Sequence, residues 1–180
     1  CLESGSVGCG SFSVFQVSRR SPVIVVMNQD YIHGFSAAEQ RRLLEQADIL
    51  APKVFAGVDY SGVRNLLEIG CGVGAELKQI SRRWPGMYLT GVDLSWPHLL
   101  AAARHLEREL AGGSVALLRA DALGLPFADR SFDRVITIWM LEHVPDPAAV
   151  LREAEEKTAE PAGDSASAFV AHYVDRKSVV

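Results

Sequence analysis

The sequence predicts an α/β protein built on a doubly wound parallel sheet. Two observations carry that prediction. Short segments that are apolar almost throughout alternate with helical segments, the pattern of strands buried on both faces by crossover helices. A glycine cluster, Gly70-Cys71-Gly72-Val73-Gly74, stands directly between the first such strand and the helix that follows, where a tight βα turn needs backbone freedom. With 180 residues, 48% of them hydrophobic, the chain can bury one core.

Taken in order, Ser36-Ala37-Ala38-Glu39 reads as a capping box opening a helix. Leu43, Leu44, Ala47 and Leu50 mark its apolar face, and Pro52 is expected to end it. Residues 65–69 form an apolar strand, 75–83 a helix stopped by Pro85-Gly86, and 87–92 a second strand. A single helix is expected over 97–110, burying Leu99, Leu100, Ala103, Leu106 and Leu110 and closed by Gly112-Gly113. Strands follow at 114–118 and 134–139, and Asp146-Pro147 caps and starts another helix, with proline where its missing N–H costs nothing.

The two ends depart from this pattern. Residues 1–26 begin without methionine and show neither periodicity, although the β-branched run at 23–26 could form a short strand. Met27 is therefore taken as the start of the domain, which is expected to span 27–157. Beyond it, helical patterning decays into Pro161-Ala162-Gly163-Asp164-Ser165, and the last six residues, DRKSVV, match one translated frame of a widely used sequencing adapter. Residues 158–180 are accordingly expected to be an aberrant tail on a reading frame cut short.

With 18 basic against 22 acidic residues and a net charge of −4, no general basic field exists to hold a nucleic acid or an anionic membrane. Three cysteines make neither a disulfide framework nor a paired metal spacing, so a reducing compartment, the cytoplasm, is expected. The apolar run at 23–27 is far shorter than the ~18 residues of a membrane span.

In doubly wound sheets ligands sit at the carboxyl ends of the strands. The first such end is Glu68-Ile69 followed by the glycine loop, and the second is Asp93, 23 residues after Gly70. Gly70, Gly72 and Ala75 satisfy a dinucleotide fingerprint, and Asp93 is placed to accept from a ribose diol, so both NAD and another adenosine cofactor fit at this point. The third strand leads to Asp121-Ala122, Leu125-Pro126-Phe127 and Ser131-Phe132-Asp133. The fourth leads to Trp139 and on to His143.

The runs EIGCGVG, GVDLS, ADALGLPFADRSFDRVI and WMLEHVPDP resemble the class I S-adenosylmethionine-dependent methyltransferases, in the small-molecule branch that includes the ubiquinone/menaquinone-biosynthesis type. The resemblance covers about residues 31–156 and implies a Rossmann-like sheet, S-adenosyl-L-methionine as cofactor and a small-molecule methyl acceptor. It implies that Glu68 and Gly70, Gly72 and Gly74 surround the methionine part of the cofactor, and that a loop without Lys or Arg suits a ligand without phosphate. Asp93 would bind the ribose hydroxyls and Leu94 would lie beside the adenine. Asp121 would accept from the adenine amino group, the Ala122 N–H would face a ring nitrogen, and Trp139 would contact the cofactor's amino acid end or the acceptor. Tyr31 and His33 resemble a segment that closes over cofactor or substrate.

Transfer by direct displacement needs alignment and exclusion of water more than a strong catalytic group. Where a general base is used, His143 is the candidate; the alternative is that it orients its loop. Cys71 reads as a small filler of the turn, and Trp84 and Trp96 as core or rim aromatics. A nicotinamide oxidoreductase accounts for the glycines and Asp93 but gives Asp121 no task. The family sheet has seven strands and the pattern here supplies four. An incomplete fold lacking the last strands is therefore expected, with strand four an exposed edge and the isolated chain poorly soluble or an inactive remnant.

Overall fold

The computed structural model describes residues 36–159 and the backbone of 169–172. The described elements are α1 (Ala37–Val54), β1 (Asn65–Ile69), α2 (Ala75–Arg83), β2 (Tyr88–Asp93), α3 (Trp96–His105), α4 (Glu107–Ala111), β3 (Val115–Arg119), β4 (Arg134–Ile138), a one-turn 3₁₀ helix (Leu141–His143), α5 (Pro147–Lys157) and β5 (Phe169–His172). All strand pairings are parallel and the sheet order is β3-β2-β1-β4-β5. The chain builds outward from β1 to β3, then crosses to the other side of β1 for β4. That reversal creates a switch point between β1 and β4, where the loops after the two strands diverge and leave a crevice.

Alternation along the strands separates two cores. Leu66, Leu89, Ile136 and Ile138 face the cluster that includes Leu50, Val54, Leu77, Ile80 and Leu99 from the helices α1, α2 and α3. Leu67, Ile69, Val92 and Val135 point the other way, onto Val150 and Ala154 of α5. Four of β1's five residues are buried, which is why the strand reads as a continuous apolar run rather than an alternating one. Its start is pinned by Asp133, whose Oδ2 accepts from the backbone N–H groups of Arg64 and Asn65, each at 2.8 Å. Phe55 and Tyr60 close the lower end of the core edge-on against Trp84, with ring centroids 5.8 and 4.8 Å away.

Most of the local signals act as read. Ser36 Oγ accepts from the Glu39 N–H at 3.1 Å, while the Glu39 carboxylate is held by Arg42. Asp146 Oδ1 accepts from the Ala149 N–H at 2.9 Å, with Pro147 in the first turn of α5. The cap of α3 is Ser95, whose Oγ accepts from the His98 N–H.

Four expectations are corrected. Pro52 does not end α1, which runs on to Val54 because Ala51 and Val54 are buried against the sheet and the last turn is held by packing. The helix expected over 97–110 breaks at Leu106 into α3 and α4, and Leu100, Ala103 and Leu110 are only half-buried while His98, Ala101 and Ala102 are buried. The break accompanies full burial of Leu106, whose side chain lies under Gly74 of the glycine loop. Strand β4 ends at Ile138, because Trp139 takes φ +61° and cannot continue an extended chain. Strand β4 is not an open edge either. It pairs in register with β5, Val135 with Phe169 through Ile138 with His172, a strand within the stretch set apart from the domain by its lost helical pattern. Four residues of parallel strand carry too little periodicity to be seen without their partner. The possible strand at 23–26, Tyr31 and His33 lie outside the described residues.

Candidate functional site

The carboxyl ends of β1, β2, β3 and β4 open on one rim of the sheet. Register brings them together: Ile69 lies beside Val92 and Asp93 beside Arg119. After β1 the chain turns through three residues with positive φ, Gly70 at +75°, Gly72 at +52° and Gly74 at +74°. The amides of Gly70 and Cys71 both donate to the Val92 carbonyl, at 2.8 and 2.9 Å, which draws the loop onto the end of β2.

Two of these glycines are required by packing as well as by φ. A Cβ on Gly70 would lie 2.3 Å from Cγ of Met140, the residue after Trp139, and one on Gly74 would lie 2.6 Å from Leu106 Cδ1. At Gly72 nothing lies within 4 Å of the Cβ position, so that residue faces open space. Gly91 inside β2 is a third close approach, with Leu77 and Cys71 within 3 Å of its Cβ position. Cys71 itself is buried as a filler, and burial pushes its thiol well above its ordinary range, which removes it as a nucleophile.

Acidic groups gather around this loop. Glu68, 1% exposed near the end of β1, has its Oε2 buried with no hydrogen-bond partner among the described residues. Burial, then the nearby carboxyls of Glu76 and Asp93, push the Glu68 carboxyl far above the usual range, with the Leu77 N–H opposing the shift. Glu76, in the first turn of α2, is pushed up to about 7 by burial. Asp93 Oδ2 accepts from the Gly72 N–H at 2.8 Å and Oδ1 from the Ser95 N–H at 2.7 Å, with His98 Nδ1 4.0 Å from Oδ1. Burial raises the Asp93 carboxyl, and these two amides and the His98 imidazole pull against it. Each Asp93 oxygen keeps a lone pair for a further donor.

Beyond β3, Arg119 Nε donates to the Leu94 carbonyl at 2.8 Å, tying the end of β3 to the residue after Asp93. Leu94 is 58% and Leu123 49% exposed, two large apolar side chains left uncovered beside Asp93 and Asp121. Asp121 is exposed and closes a turn: its Oδ1 accepts from the Leu123 N–H at 3.0 Å, and its carbonyl accepts from Gly124. Ala122 packs on the α5-side core. After β4, Trp139 sits in a backbone region that costs a non-glycine residue of order 1–3 kcal/mol, packed against the opposite core. His143 follows in the 3₁₀ turn, its Nε2 3.4 Å from Glu142 Oε1.

The structure thus brings Glu68, Gly70, Gly72, Gly74, Asp93, Leu94, Asp121, Ala122, Trp139 and His143 to one rim. Glu76, His98 and Met140 are also there and were not singled out from the sequence. An acid in a first helical turn reads as an ordinary dipole partner, and only the fold shows that Glu76 is half-buried and beside Glu68. Gly91 could have been found, because a glycine inside a strand marks a close backbone approach.

The raised carboxyl of Glu76, together with those of Glu68 and Asp93 that face it, is expected to make the protein's stability depend on pH. The folded value of Glu76 lies above the ordinary 4.5 of an unfolded chain, so between about pH 4.5 and 7 the folded state holds more protons. Stability falls as pH rises through that window. Thermal melts from pH 5 to 8 are expected to show the fall, and Glu76→Gln is expected to flatten it and raise stability at pH 8 by about 1–3 kcal/mol. An unchanged slope in the variant would assign the dependence to other groups.

Fold and loop together define a doubly wound α/β domain whose switch-point turn suits a ligand without phosphate. Pyrophosphate would meet buried carboxyls there, and the Gly72 N–H that could bind it is already given to Asp93. A family model described as a methyltransferase domain matches residues 67–160, more than half of the chain, and the chain belongs to that family, with the class I S-adenosylmethionine-dependent fold. It is 32% identical over 111 residues to the methyltransferase GfsG of Streptomyces halstedii, covering 62% of this chain and 40% of that protein. It is 37% identical over 87 residues to the demethylmenaquinone methyltransferase of Roseiflexus castenholzii, covering 48% of this chain and 35% of the relative. The chain spans less than half the length of these curated relatives. Among solved structures, a SAM dependent methyltransferase from Aquifex aeolicus superposes with a TM-score of 0.54 at 16% identity, over 70% of this chain and 69% of that one. The [4+2]-cyclase SpnF superposes at 0.52 with 25% identity, over 72% and 46%. No helix among the described residues is long and apolar enough to cross a membrane.

Proposed function

We propose that this chain is the cofactor-binding part of an S-adenosylmethionine-dependent methyltransferase that acts on a small-molecule acceptor, in the cytoplasm, and that the domain begins near Met27. The carrying observation is the glycine loop lined by Glu68, Glu76 and Asp93, with the unpartnered buried oxygen on Glu68. Burial keeps these carboxyls from ionising until a cation is brought beside them, so the loop favours a cationic ligand, which a sulfonium and an ammonium provide, over a phosphate chain.

Glu68 and the Gly70 to Gly74 turn hold the amino acid end, Asp93 accepts from the ribose hydroxyls, and Leu94 covers one side of the adenine. Asp121 accepts from the adenine amino group through the carboxylate oxygen not used by Leu123, and the Ala122 N–H faces the ring. When bound, the cofactor supplies an electrophilic methyl group with a neutral thioether behind it. The protein's part is alignment and dryness: Trp139, fixed in its left-handed conformation, walls the crevice beside the glycine loop. His143 takes the acceptor's proton on its imidazole, and the Glu142 carboxylate 3.4 Å from Nε2 stabilises the cation that results. Tyr31 and His33 are assigned to acceptor binding.

Calorimetric titration with S-adenosylhomocysteine and with NAD tests this reading. Saturable binding of S-adenosylhomocysteine with no heat from NAD is expected. Binding of NAD alone would overturn the reading in favour of an oxidoreductase. Methyl transfer to a panel of phenols, amines and quinols then identifies the acceptor class.

A further inference from the structure

The segment between β3 and β4 carries Asp121 and Ala122, yet much of its anchoring comes from α5 rather than from the sheet. Glu153 Oε1 accepts the Leu125 N–H at 2.8 Å. Lys157 Nζ stands 3.4 Å from that oxygen and 2.6 Å from Asp129 Oδ1, with a side chain only 8% exposed. The last turn of α5 takes two more contacts, from the Arg130 N–H to the Glu156 carbonyl at 2.9 Å and from Phe132 to Lys157 at 3.1 Å. Leu125 and Phe132 are buried, and Phe127 stacks edge-on against Phe132 at 5.0 Å.

Within the segment, Asp121 is bonded forward to Leu123 by its side chain and to Gly124 by its carbonyl. Residues 121–125 are therefore one turn, with the Asp121 carboxylate at its exposed end and the Glu153 bond at its buried end. Among the described residues no hydrogen bond joins the Asp121 side chain to the sheet, so the direction in which its carboxylate points is set through this turn.

We propose that Glu153 is a positioning residue for cofactor recognition: by accepting the Leu125 N–H it fixes the turn that aims Asp121 at the 6-amino group of the adenine. The assignment rests on the methyltransferase reading above. Lys157 serves it by holding the Glu153 carboxylate in place while anchoring Asp129 on the far side of the segment. Glu153 touches no ligand and acts only through Asp121.

The test compares S-adenosylhomocysteine with S-inosylhomocysteine, which carries an oxo group where the adenine has its amino group. The unaltered chain is expected to prefer the adenosyl ligand. Glu153→Met keeps the side-chain length but removes the acceptor. It is expected to weaken S-adenosylhomocysteine about tenfold, the worth of one ordinary hydrogen bond, while leaving S-inosylhomocysteine nearly unchanged, so that discrimination falls. Glu153→Gln retains an acceptor oxygen and is expected to restore most of the preference. Should Glu153→Met fail to fold, Glu153→Asp, which withdraws the carboxylate by one methylene, gives the same loss of discrimination in smaller degree. A variant that melts lower but keeps the full preference, or weakens both ligands equally, overturns the proposal and leaves the methyltransferase reading standing. Failure of the unaltered chain to bind S-adenosylhomocysteine overturns that reading, and this proposal with it.

Discussion

Gly70→Ala is expected to destabilise the domain by about 2–5 kcal/mol and to abolish cofactor binding. The new methyl group would sit 2.3 Å from Met140 Cγ and 2.6 Å from its Cβ, at a residue held at φ +75°. A left-handed alanine costs about 1–2 kcal/mol, and overpacking a close contact adds about 1–3 kcal/mol. Relief is blocked because the Met140 Cβ is fixed by the chain that leaves Trp139 in its own left-handed conformation. For a domain of this size the loss corresponds to a fall in Tm of roughly 5–15 °C. Gly72→Ala makes the matching control. Its φ of +52° is also strained, but nothing lies within 4 Å of the new methyl. It is expected to fold with a loss of about 1 kcal/mol and still bind poorly, because the methyl enters the space proposed for the ligand. Equal stability of Gly70→Ala and the unaltered chain would show that the approach of β1 and the β4 loop is not obligatory. Normal binding by Gly72→Ala would move the ligand elsewhere.

Asp93→Asn is expected to weaken S-adenosylhomocysteine by at least about a hundredfold. Two amides, Gly72 at 2.8 Å and Ser95 at 2.7 Å, now converge on two carboxylate oxygens. An asparagine offers one acceptor and turns two donors toward an amide donor, so one backbone N–H loses its partner in a largely buried position. The ribose hydroxyls would lose an acceptor as well, and hydrogen bonds to a charged group are worth about 1.5–3 kcal/mol each. Because Gly72 is then released from β2, part of the loss would arise through the glycine loop. Asp121→Asn separates the effects: it leaves the loop untouched and is expected to lower adenosyl preference with a smaller loss of affinity. Retention of full affinity in Asp93→Asn would remove the ribose from this position.

Cys71 illustrates what a pattern can carry. Its position between two turn glycines, without a basic partner nearby in sequence, is enough to mark it as a filler, and it is buried in the core beside Gly91. Asp133 shows the opposite case. It belongs to a run that resembles a functional motif, but its carboxylate holds the first residues of β1 by two amides that lie 68 and 69 positions away in sequence. No local pattern contains that distance.

What the sequence by itself determined were the features that obey local physics: the alternation of strands and helices, the caps at Ser36 and Asp146, and the end of each strand to within a residue. Backbone sterics and side-chain periodicity act within a few residues, so they are legible in a single chain. Tertiary structure alone decided the break at Leu106, the run of α1 through Pro52, the cover that β5 gives to β4, and the gathering of Glu68, Glu76 and Asp93 into one acidic loop. Each of those outcomes depends on burial against a partner distant in sequence, and packing energy there exceeds the local propensity that the pattern records.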